Sequence, residues 1–415
     1  MEAAQLSETV SSQTAVAPRP DNVPEDRVID FNLHQQVADG KSPQQLWREL
    51  RDQATHSVVW TPRNGGHWIV LEPELCEVVL SESEIFSTRV VIVPREPVGE
   101  IYSKYLPLSL DPPEHGAFRK ILNDNLGSKP ITRMKPAVRD LTIELIEGFK
   151  PNGRCNFTHD FAEQLPVRIF MRVVDLPEKD LPLLKYLSDQ FTRPDGTITL
   201  DEVEKQFSDY IGPVIRSRRG KPADDLISQM VNGQIRGRHL TDEEAENMCI
   251  QVLIAGLDTV VNLLGFIFSY LATEDTLRRK LASNPALQED AILEFLRRFP
   301  LVSGSREVRR EYEFGGVILK PRDMIMASTI PIAMSESSNP NALEFQLERP
   351  ARHHYIFGKG PHVCPGAPLA RLELKIILEE WLSRIPEFRL SAGKTLSYAS
   401  GIVAAVNSFE LEWDV

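Results

Sequence analysis

Apolar residues recur every three or four positions through most of the chain, which is the spacing of amphipathic helices. The pattern predicts helices at 136–149, 178–191, 201–219, 241–272, 275–283, 286–298 and 367–384. Runs typical of β-strands are fewer and shorter, at 67–71, 312–314 and 317–319. Neither an internal repeat nor a Gly/Ser linker divides the chain. We therefore expect a single, mainly α unit with small β-sheets.

The N-terminal segment differs in composition from the rest of the chain. Residues 1–25 are polar and proline-rich, so they are expected to form a flexible arm before a folded domain at 26–415. The first residues lack the basic and apolar pattern of a signal peptide. We expect neither a signal peptide nor a membrane anchor.

One apolar stretch, 250–272, is long enough to span a membrane. Asp258 near its centre would cost about 3 kcal/mol or more in lipid. Thr241 and Glu244 form a capping-box pattern that places the start of a long helix upstream of this stretch. The sequence therefore predicts a long helix buried in protein.

Charge and cysteine content narrow the classes of partner. The 415-residue chain has a formal net charge of −12 and no long Lys/Arg block, so neither a nucleic acid nor an acidic membrane surface is an expected partner. The four cysteines show no CxxC spacing, which argues against a disulfide framework or a structural zinc site. We expect a monomer in the reducing cytoplasm.

A glycine-rich loop from Phe357 to Gly366 surrounds one of these cysteines, Cys364, and leads into the helix at 367–384. A cysteine near a helix N-terminus meets free backbone N–H groups and the positive end of the helix dipole, which favour the thiolate. Gly358, Gly360 and Gly366 allow the backbone to approach a flat group closely. A lone cysteine in such a turn is more often a free buried thiol, but the whole decapeptide favours a metal ligand.

The loop is similar to the haem-binding signature of the cytochromes P-450, Phe-x-x-Gly-x-x-x-Cys-x-Gly, at all four fixed positions. The resemblance implies haem b with Cys364 as the axial iron ligand, and Phe357, Gly358 and Gly366 beside it. It also implies one triangular-prism fold. The haem is then expected between the long central helix and the helix that follows the cysteine loop.

Residues 255–259, Ala-Gly-Leu-Asp-Thr, are poor helix formers in the middle of the long helix. A Thr259 hydroxyl bonded back to Ala255 would loosen one turn and open a groove there. The alternative is a packing glycine with a solvated Asp258. The resemblance implies that Asp258 and Thr259 relay protons to bound oxygen, and that Lys185 and Arg193 gate the relay acid.

Further charged residues match structural and cofactor-binding positions of the same family. The resemblance implies a structural cluster of Glu294, Arg297 and Arg349, although Glu294 and Arg297 alone could be an exposed i, i+3 pair. It also implies that buried cations hold the haem propionates. These cations are His115, Arg119, Arg306 and His362, each of which could separately be an ordinary surface charge.

Several segments look like the bacterial camphor 5-monooxygenase subfamily, namely 64–69, 155–158, 192–196, 256–262 and 400–403. That likeness implies hydroxylation of an unactivated C–H bond of a bicyclic monoterpenoid, camphor or 1,8-cineole among the candidates. Tyr102 is the expected polar contact to the substrate, with Tyr105 as its alternative. The other expected pocket residues are Ile92, Gln251, Ile254, Ala255, Val302, Ile402 and Val403, of which Gln251 replaces an apolar residue.

The chain carries neither a GxGxxG fingerprint nor a flavin-binding region that could supply electrons. The resemblance implies a [2Fe–2S] ferredoxin with a flavin-dependent reductase, and dioxygen as co-substrate. The ferredoxin is expected to dock on a basic patch of Arg119, Lys120, Arg349 and Arg352. Two rival classes are a haem-thiolate sensor or carrier without turnover, and a hydrolase with Cys364 as nucleophile.

Overall fold

The computed structural model describes residues 16–37, 40–95, 104–393 and 395–415. Its α-helices are α1 (Pro43–Gln53), α2 (Pro73–Ser81), α3 (Glu114–Leu126), α4 (Ser128–Thr132), α5 (Lys135–Phe149), α6 (Leu165–Val174), α7 (Leu181–Thr192), α8 (Leu200–Arg218), α9 (Leu226–Val231), α10 (Asp242–Leu271), α11 (Asp275–Ser283), α12 (Gln288–Arg298), α13 (Thr329–Met334) and α14 (Ala367–Arg384). Its strands are β1 (Gln36–Val37), β2 (Val58–Thr61), β3 (His67–Val70), β4 (Phe86–Ser87), β5 (Arg154–Asn156), β6 (Gln234–Ile235), β7 (Arg238–His239), β8 (Ser303–Val308), β9 (Tyr312–Phe314), β10 (Val317–Leu319), β11 (Met324–Ser328), β12 (Arg389–Leu390), β13 (Tyr398–Ala399), β14 (Ala405–Val406) and β15 (Glu410–Glu412). The predicted mainly α fold with small β-sheets is confirmed.

Helix α10 runs through the main hydrophobic core. The Thr241 hydroxyl accepts from Glu244 N–H at 3.1 Å and the Glu244 carboxylate accepts from Thr241 N–H at 2.8 Å, so the predicted capping box is present. Helices α6, α7, α8 and α9 pack around it. α10 is long and apolar enough to cross a membrane, but most of its apolar stretch is buried in the protein. This confirms the predicted buried helix.

An aromatic cluster ties α14, the helix after the cysteine loop, to α10. The Trp381 ring of α14 lies 4.9 Å from the Phe268 ring of α10 at a steep angle. Phe157 and Phe161, from the π-helical turn Phe157–Ala162, approach the same indole at 5.4 and 5.0 Å. Such edge-to-face pairs add about 0.5–1.5 kcal/mol each beyond their burial. The two helices that flank the expected haem are therefore held by direct packing.

The largest sheet has five strands in the order β2-β3-β11-β8-β4. β3 and β11 are parallel, and the other neighbours are antiparallel. The sequence pattern predicted β3 and the β9/β10 hairpin but missed β8 and β11. β8 carries Arg306 opposite Ile325 of β11, so this sheet positions one of the expected haem ligands.

The described part of the expected N-terminal arm is packed on the domain. Val23 is buried in the core that covers one face of the five-stranded sheet. Ala17 N–H donates to Pro62 O at 2.8 Å, and the Arg27 guanidinium donates to the carbonyls of Val58 and Gly315 at 3.0 Å. Packing therefore begins before the predicted boundary at residue 25, because a few apolar and backbone contacts suffice to hold a proline-rich segment.

Candidate active site

The cysteine loop is closed by backbone contacts. Gly358 and Gly360 adopt φ angles of +73° and +69°, which L side chains rarely adopt. Cys364 N–H donates to Phe357 O at 2.8 Å, which places the aromatic residue and the cysteine at the two ends of one turn. The Cys364 side chain is exposed, whereas the other three cysteines of the chain are buried. Cys364 alone among them is accessible to a metal.

The thiol of Cys364 lies just before α14. Crowding by protein atoms raises its pKa, while the N–H groups of Gly366 and Ala367 and the charge of Arg119 act in the opposite direction. α14 begins at Ala367, three residues after Cys364. Backbone donors aimed at sulfur make this loop suited to a metal-bound thiolate.

The four expected propionate ligands come together from three parts of the chain. The rings of His115 (α3) and His362 (cysteine loop) lie 4.3 Å apart. Burial and then the charge of Arg306 lower the pKa of His362 to about 3, and burial and then Arg119 lower the pKa of His115 to about 4. Burial also lowers the pKa of Arg306 to about 10. Four basic groups therefore share one poorly solvated region, and two of them, His115 and His362, are held uncharged near neutral pH.

These basic groups fit an anionic cofactor. The buried His115 Nε2 has no hydrogen-bond partner in the described ranges. Arg306 is 7% exposed, donates to the carbonyl of Ser305 at 2.9 Å, and forms no ion pair with a described carboxylate. A buried cation without a counter-ion is unfavourable unless an anion is supplied. The propionates of haem would supply that charge, so the residues present fit haem b.

Asp111 is a buried acid beside these cations that sequence reasoning missed. Its carboxylate accepts from the Ser87 hydroxyl, from Thr88 N–H and Oγ1 at 3.0 Å each, and from Arg309. Thr88 Oγ1 also lies 3.3 Å from His362 Nε2. The only sequence signal was its place directly before α3, in a Pro-Pro turn.

Glu294, Arg297 and Arg349 form a fully enclosed cluster. Glu294 Oε1 accepts from Arg297 Nη2 at 2.7 Å and from Arg349 Nε at 3.0 Å, and Glu294 and Arg297 are 0% exposed. Arg297 also donates to the carbonyls of Ala333 and Ala342. The exposed-pair alternative is therefore wrong, because the side chains point into the junction of α12 with the segment before the cysteine loop.

The Ala255–Thr259 turn of α10 is regular helix. Thr259 Oγ1 donates to Ala255 O at 3.2 Å, which is the predicted back-bond. A Cβ at Gly256 would lie 2.4 Å from the Phe170 ring of α6, so this glycine permits close helix packing. The helix continues without a break, and the expected loosened turn is not observed. Gly256 is explained by packing.

Asp258 faces α7, and five side-chain contacts surround it. Its carboxylate accepts from Arg193 at 2.6 and 2.8 Å, from Thr192 Oγ1 at 3.1 Å, from Asn262 Nδ2 at 2.7 Å and from Lys185 at 3.4 Å. The alternative of a solvated acid is therefore wrong, since Asp258 is 0% exposed. Neither Thr192 nor Asn262 was predicted from sequence, although Asn262 lies one helical turn after Asp258.

A second acid, Asp189, shares the two cations with Asp258. Lys185 and Arg193 each contact both carboxylates. Burial alone would raise the pKa of Asp258, but Arg193 and then Lys185 outweigh it and hold that pKa below its ordinary value. Burial and the negative charge of Asp258 raise the pKa of Asp189. The cluster thus contains one firmly ionised acid and one that protonates more readily.

The expected apolar wall residues converge near the same cluster. Val302 and Val403 face each other in an antiparallel bridge, and Ser303 N–H donates to Ile402 O at 2.9 Å. Ile92 follows Val91, whose carbonyl accepts from Ser305 N–H at 3.3 Å. Arg193 also donates to Val403 O at 3.0 Å. One guanidinium therefore links the acid of α10 to the segment that carries the wall residues.

The α10 residues that the sequence assigns to the pocket and to the relay lie on two neighbouring stripes of the helix. Gln251, Ala255 and Thr259 form a partly accessible stripe at i, i+4 and i+8. Ile254 and Asp258 are buried on the neighbouring stripe, where the Ser188 hydroxyl of α7 donates to Ile254 O at 3.1 Å. α7 therefore covers the stripe of Ile254 and Asp258 and leaves the stripe of Gln251, Ala255 and Thr259 partly accessible.

Of the two tyrosines expected to contact the substrate, Tyr105 is described by the structure. Tyr102 lies outside the described residues. The Tyr105 hydroxyl donates to Glu204 of α8, which also pairs with Lys104 at 2.6 Å. The side-chain amide of Gln251 has no hydrogen-bond partner among the residues described. Within the described residues, the Gln251 amide is therefore a better candidate than Tyr105 for a hydrogen bond to a ligand.

The expected basic patch is largely absent. Arg349 is buried against Glu294, and Arg352 is mostly buried with its Nε 3.4 Å from the same carboxylate. Arg119 is held by Val363 O and Asn123, and only Lys120 is well exposed, where it pairs with Asp124. The predicted patch of four is therefore wrong, because two of its arginines neutralise a buried acid.

The fold and this site together define a haem-thiolate monooxygenase. A family model for Cytochrome P450 matches residues 169–394, more than half of the chain. "Probable cytochrome P450 127A1" of Sinorhizobium fredii is 31% identical over 353 residues, 84% of each chain. This chain belongs to the cytochrome P450 family, as its cysteine loop indicated, and it has the expected cysteine-ligated haem b and prism fold of that family.

Two solved structures refine the placement. CYP101J2 is 57% identical, with a TM-score of 0.89, over 96% of this chain and 100% of that one. CYP101C1 is 32% identical, with a TM-score of 0.86, over the same shares. These likenesses support the placement of the chain in the camphor 5-monooxygenase-like subfamily.

Proposed function

We propose that this chain hydroxylates an unactivated C–H bond of a bicyclic monoterpenoid, camphor- or 1,8-cineole-like, with dioxygen and two electrons from a ferredoxin. The observation that carries the proposal is the arrangement on α10. The Thr259 hydroxyl lies on the accessible stripe of α10. The preceding residue, Asp258, belongs to a buried network of acids and cations. A sensor or carrier needs no such network. When bound by Cys364, haem supplies the iron at which dioxygen is activated.

In this proposal the side chains act as a proton relay. Asp189 is the entry point, because its side chain is 34% exposed and its pKa is raised. Its proton passes to Asp258 when Arg193 or Lys185 shifts from one carboxylate to the other. Asp258 then protonates Thr259 Oγ1 as this hydroxyl gives its own proton to the cavity side of α10. In the structure both carboxylates pair with the cations and the Thr259 hydroxyl donates to Ala255 O. The proposal treats this arrangement as the closed state of the relay.

The substrate class rests on the wall residues. Val302, Ile402 and Val403 offer an apolar surface, and the Gln251 amide offers a hydrogen-bond donor on the accessible stripe of α10. A compact hydrocarbon with a single ketone or ether oxygen matches one polar contact in such a wall. We propose Tyr102 or Gln251 as that contact, and a soluble cytoplasmic monomer served by a [2Fe–2S] ferredoxin and its flavin-dependent reductase.

Spectral titration tests the substrate class. Camphor, 1,8-cineole and camphane, the hydrocarbon with the camphor skeleton and no ketone, are added to the haem-loaded protein while displacement of iron-bound water is followed. We expect the oxygen-bearing ligands to bind about 2- to 10-fold more tightly, the range of one neutral hydrogen bond. Equal affinity for camphane, or no response to any of them, would reject the polar contact or the substrate class.

Thr259→Ala tests the relay. We expect haem and substrate binding to persist while product formed per electron consumed falls and hydrogen peroxide rises, because the hydroxyl no longer passes a proton. The loss expected of one proton-transfer group is on the order of 10²-fold in productive turnover. Thr259→Ser, which keeps the hydroxyl, is the matched control. Unchanged coupling in Thr259→Ala would defeat the assignment.

A further inference from the structure

Lys359 lies in the cysteine loop, five residues before Cys364 and between the two left-handed glycines of the loop. Its ammonium group pairs with the Glu77 carboxylate of α2. The same nitrogen donates to the Tyr355 hydroxyl at 3.1 Å and lies 4.8 Å from the centre of the Tyr355 ring. Lys359 therefore connects the loop to a helix that is distant in sequence.

Glu77 also binds Tyr355, which lies two residues before the loop. The Tyr355 hydroxyl donates to Glu77 Oε2 at 2.6 Å. Tyr355 O in turn accepts from Gly358 N–H at 2.7 Å, which forms the first turn of the loop. A single carboxylate thus holds both the segment that enters the loop, at Tyr355, and the loop itself, at Lys359.

The backbone of α2 meets the loop at a third point. A Cβ at Gly360 would lie 3.0 Å from both Leu80 O and the Ser81 Cα at the end of α2. On the other side of the loop, the Arg119 guanidinium of α3 donates to Val363 O. The segment that presents Cys364 is therefore held between α2 and α3.

We propose that Glu77 is a positioning residue for the haem thiolate, which acts on Cys364 by fixing Lys359 and Tyr355 and hence the path of the loop. The Glu77 and Lys359 side chains are 43% and 32% exposed, so their ion pair contributes little to the free energy of unfolding. Its effect is expected in the geometry and lifetime of cysteine ligation.

The test compares Glu77→Ala with Glu49→Ala in the full-length haem-loaded protein. Glu49 of α1 is the matched control, because it is also 43% exposed and pairs with Lys41, away from the loop. Three quantities are measured: the rate of haem transfer to a scavenging protein, the share of the reduced carbon monoxide complex that shows the red-shifted thiolate band, and the midpoint reduction potential. Tm is recorded to exclude unfolding.

We expect Glu77→Ala to lose haem about two- to fivefold faster, the range of one exposed ion pair, with a smaller thiolate share and a shifted potential at nearly unchanged Tm. The charge-exchanged double variant, Glu77→Lys with Lys359→Glu, should restore much of the thiolate share. The proposal is overturned if Glu77→Ala and Glu49→Ala agree in all three measurements, or if only Tm changes.

Discussion

Two buried acids of this protein, Glu294 and Asp258, are both neutralised by arginine, yet their surroundings differ. The partners of Glu294 are themselves anchored to main-chain carbonyls, of Ala333 and Ala342 for Arg297 and of Pro340 for Arg349. The cations beside Asp258 are anchored less firmly to the main chain, since Arg193 donates to one carbonyl, that of Val403. A second acid, Asp189, also competes for both cations.

The difference teaches how one kind of ion pair serves two purposes. A cation bound to several fixed carbonyls cannot leave its acid without exposing those carbonyls, which favours a permanent joint. A cation shared by two carboxylates can move between them with little change in charge. The contacts therefore favour a rigid joint at Glu294, and they allow the exchange of cations at Asp258 that the proposed relay requires.

Arg297→Lys, in the Glu294 cluster, should produce the largest loss of stability. Lysine keeps the charge but cannot reach Glu294 and several carbonyls at once. We expect the free energy of unfolding to fall by about 3 kcal/mol or more, the range for a broken buried pair. Urea unfolding followed by haem absorbance measures it, and a loss below about 1 kcal/mol would show that this cluster is not the rigid joint described.

Asp258→Asn should affect turnover more than folding. The amide cannot accept a proton from Asp189 and pass it on, so we expect a decrease of about 10²-fold or more in product formation with substrate affinity retained. Single-turnover kinetics distinguishes this from lost binding, and turnover within a fewfold of the parent protein would remove Asp258 from the relay.

The same variant has a defined pH dependence of stability. Because the pKa of Asp258 is held below its ordinary value of 3.8, its ionised form stabilises the fold above that value, and this contribution is lost as pH falls through the folded pKa. Asp258→Asn is made in an Asp189→Asn background, because the pKa of Asp189 is raised to about 6 partly by the charge of Asp258 and would otherwise add its own pH dependence. In that background the loss of unfolding free energy caused by Asp258→Asn should be constant from neutral pH to about 5 and should narrow below about 4, and a loss that already narrows near neutral pH would contradict the lowered pKa.

Arg193→Lys should give the smallest effect on stability. Lys185 remains to neutralise Asp258, and a lysine at 193 can still reach one of the acids. We expect a loss of about 1 kcal/mol, together with a shifted pH profile of turnover because the exchange between carboxylates changes. A loss as large as that of Arg297→Lys would erase the distinction between the two clusters.

The sequence predicted most of what depends on local spacing. The helices at α5, α8, α10, α11 and α14 begin and end within one or two residues of their predicted bounds, because each has a long apolar period. Short helices such as α4, α9 and α13 were missed, since five or six residues show too little period. The strands β8 and β11 were missed because both lie in a buried sheet without clear alternation.

In the candidate site, the sequence by itself determined the identity of the chemistry, because Cys364 and its glycines form one short contiguous motif. Only the tertiary structure decided which face of α10 each residue takes, that Gly256 accommodates Phe170, and that Arg349 and Arg352 are buried against Glu294. These outcomes depend on which sequence-distant elements pack against each surface. The spacing of residues within one segment does not specify that packing.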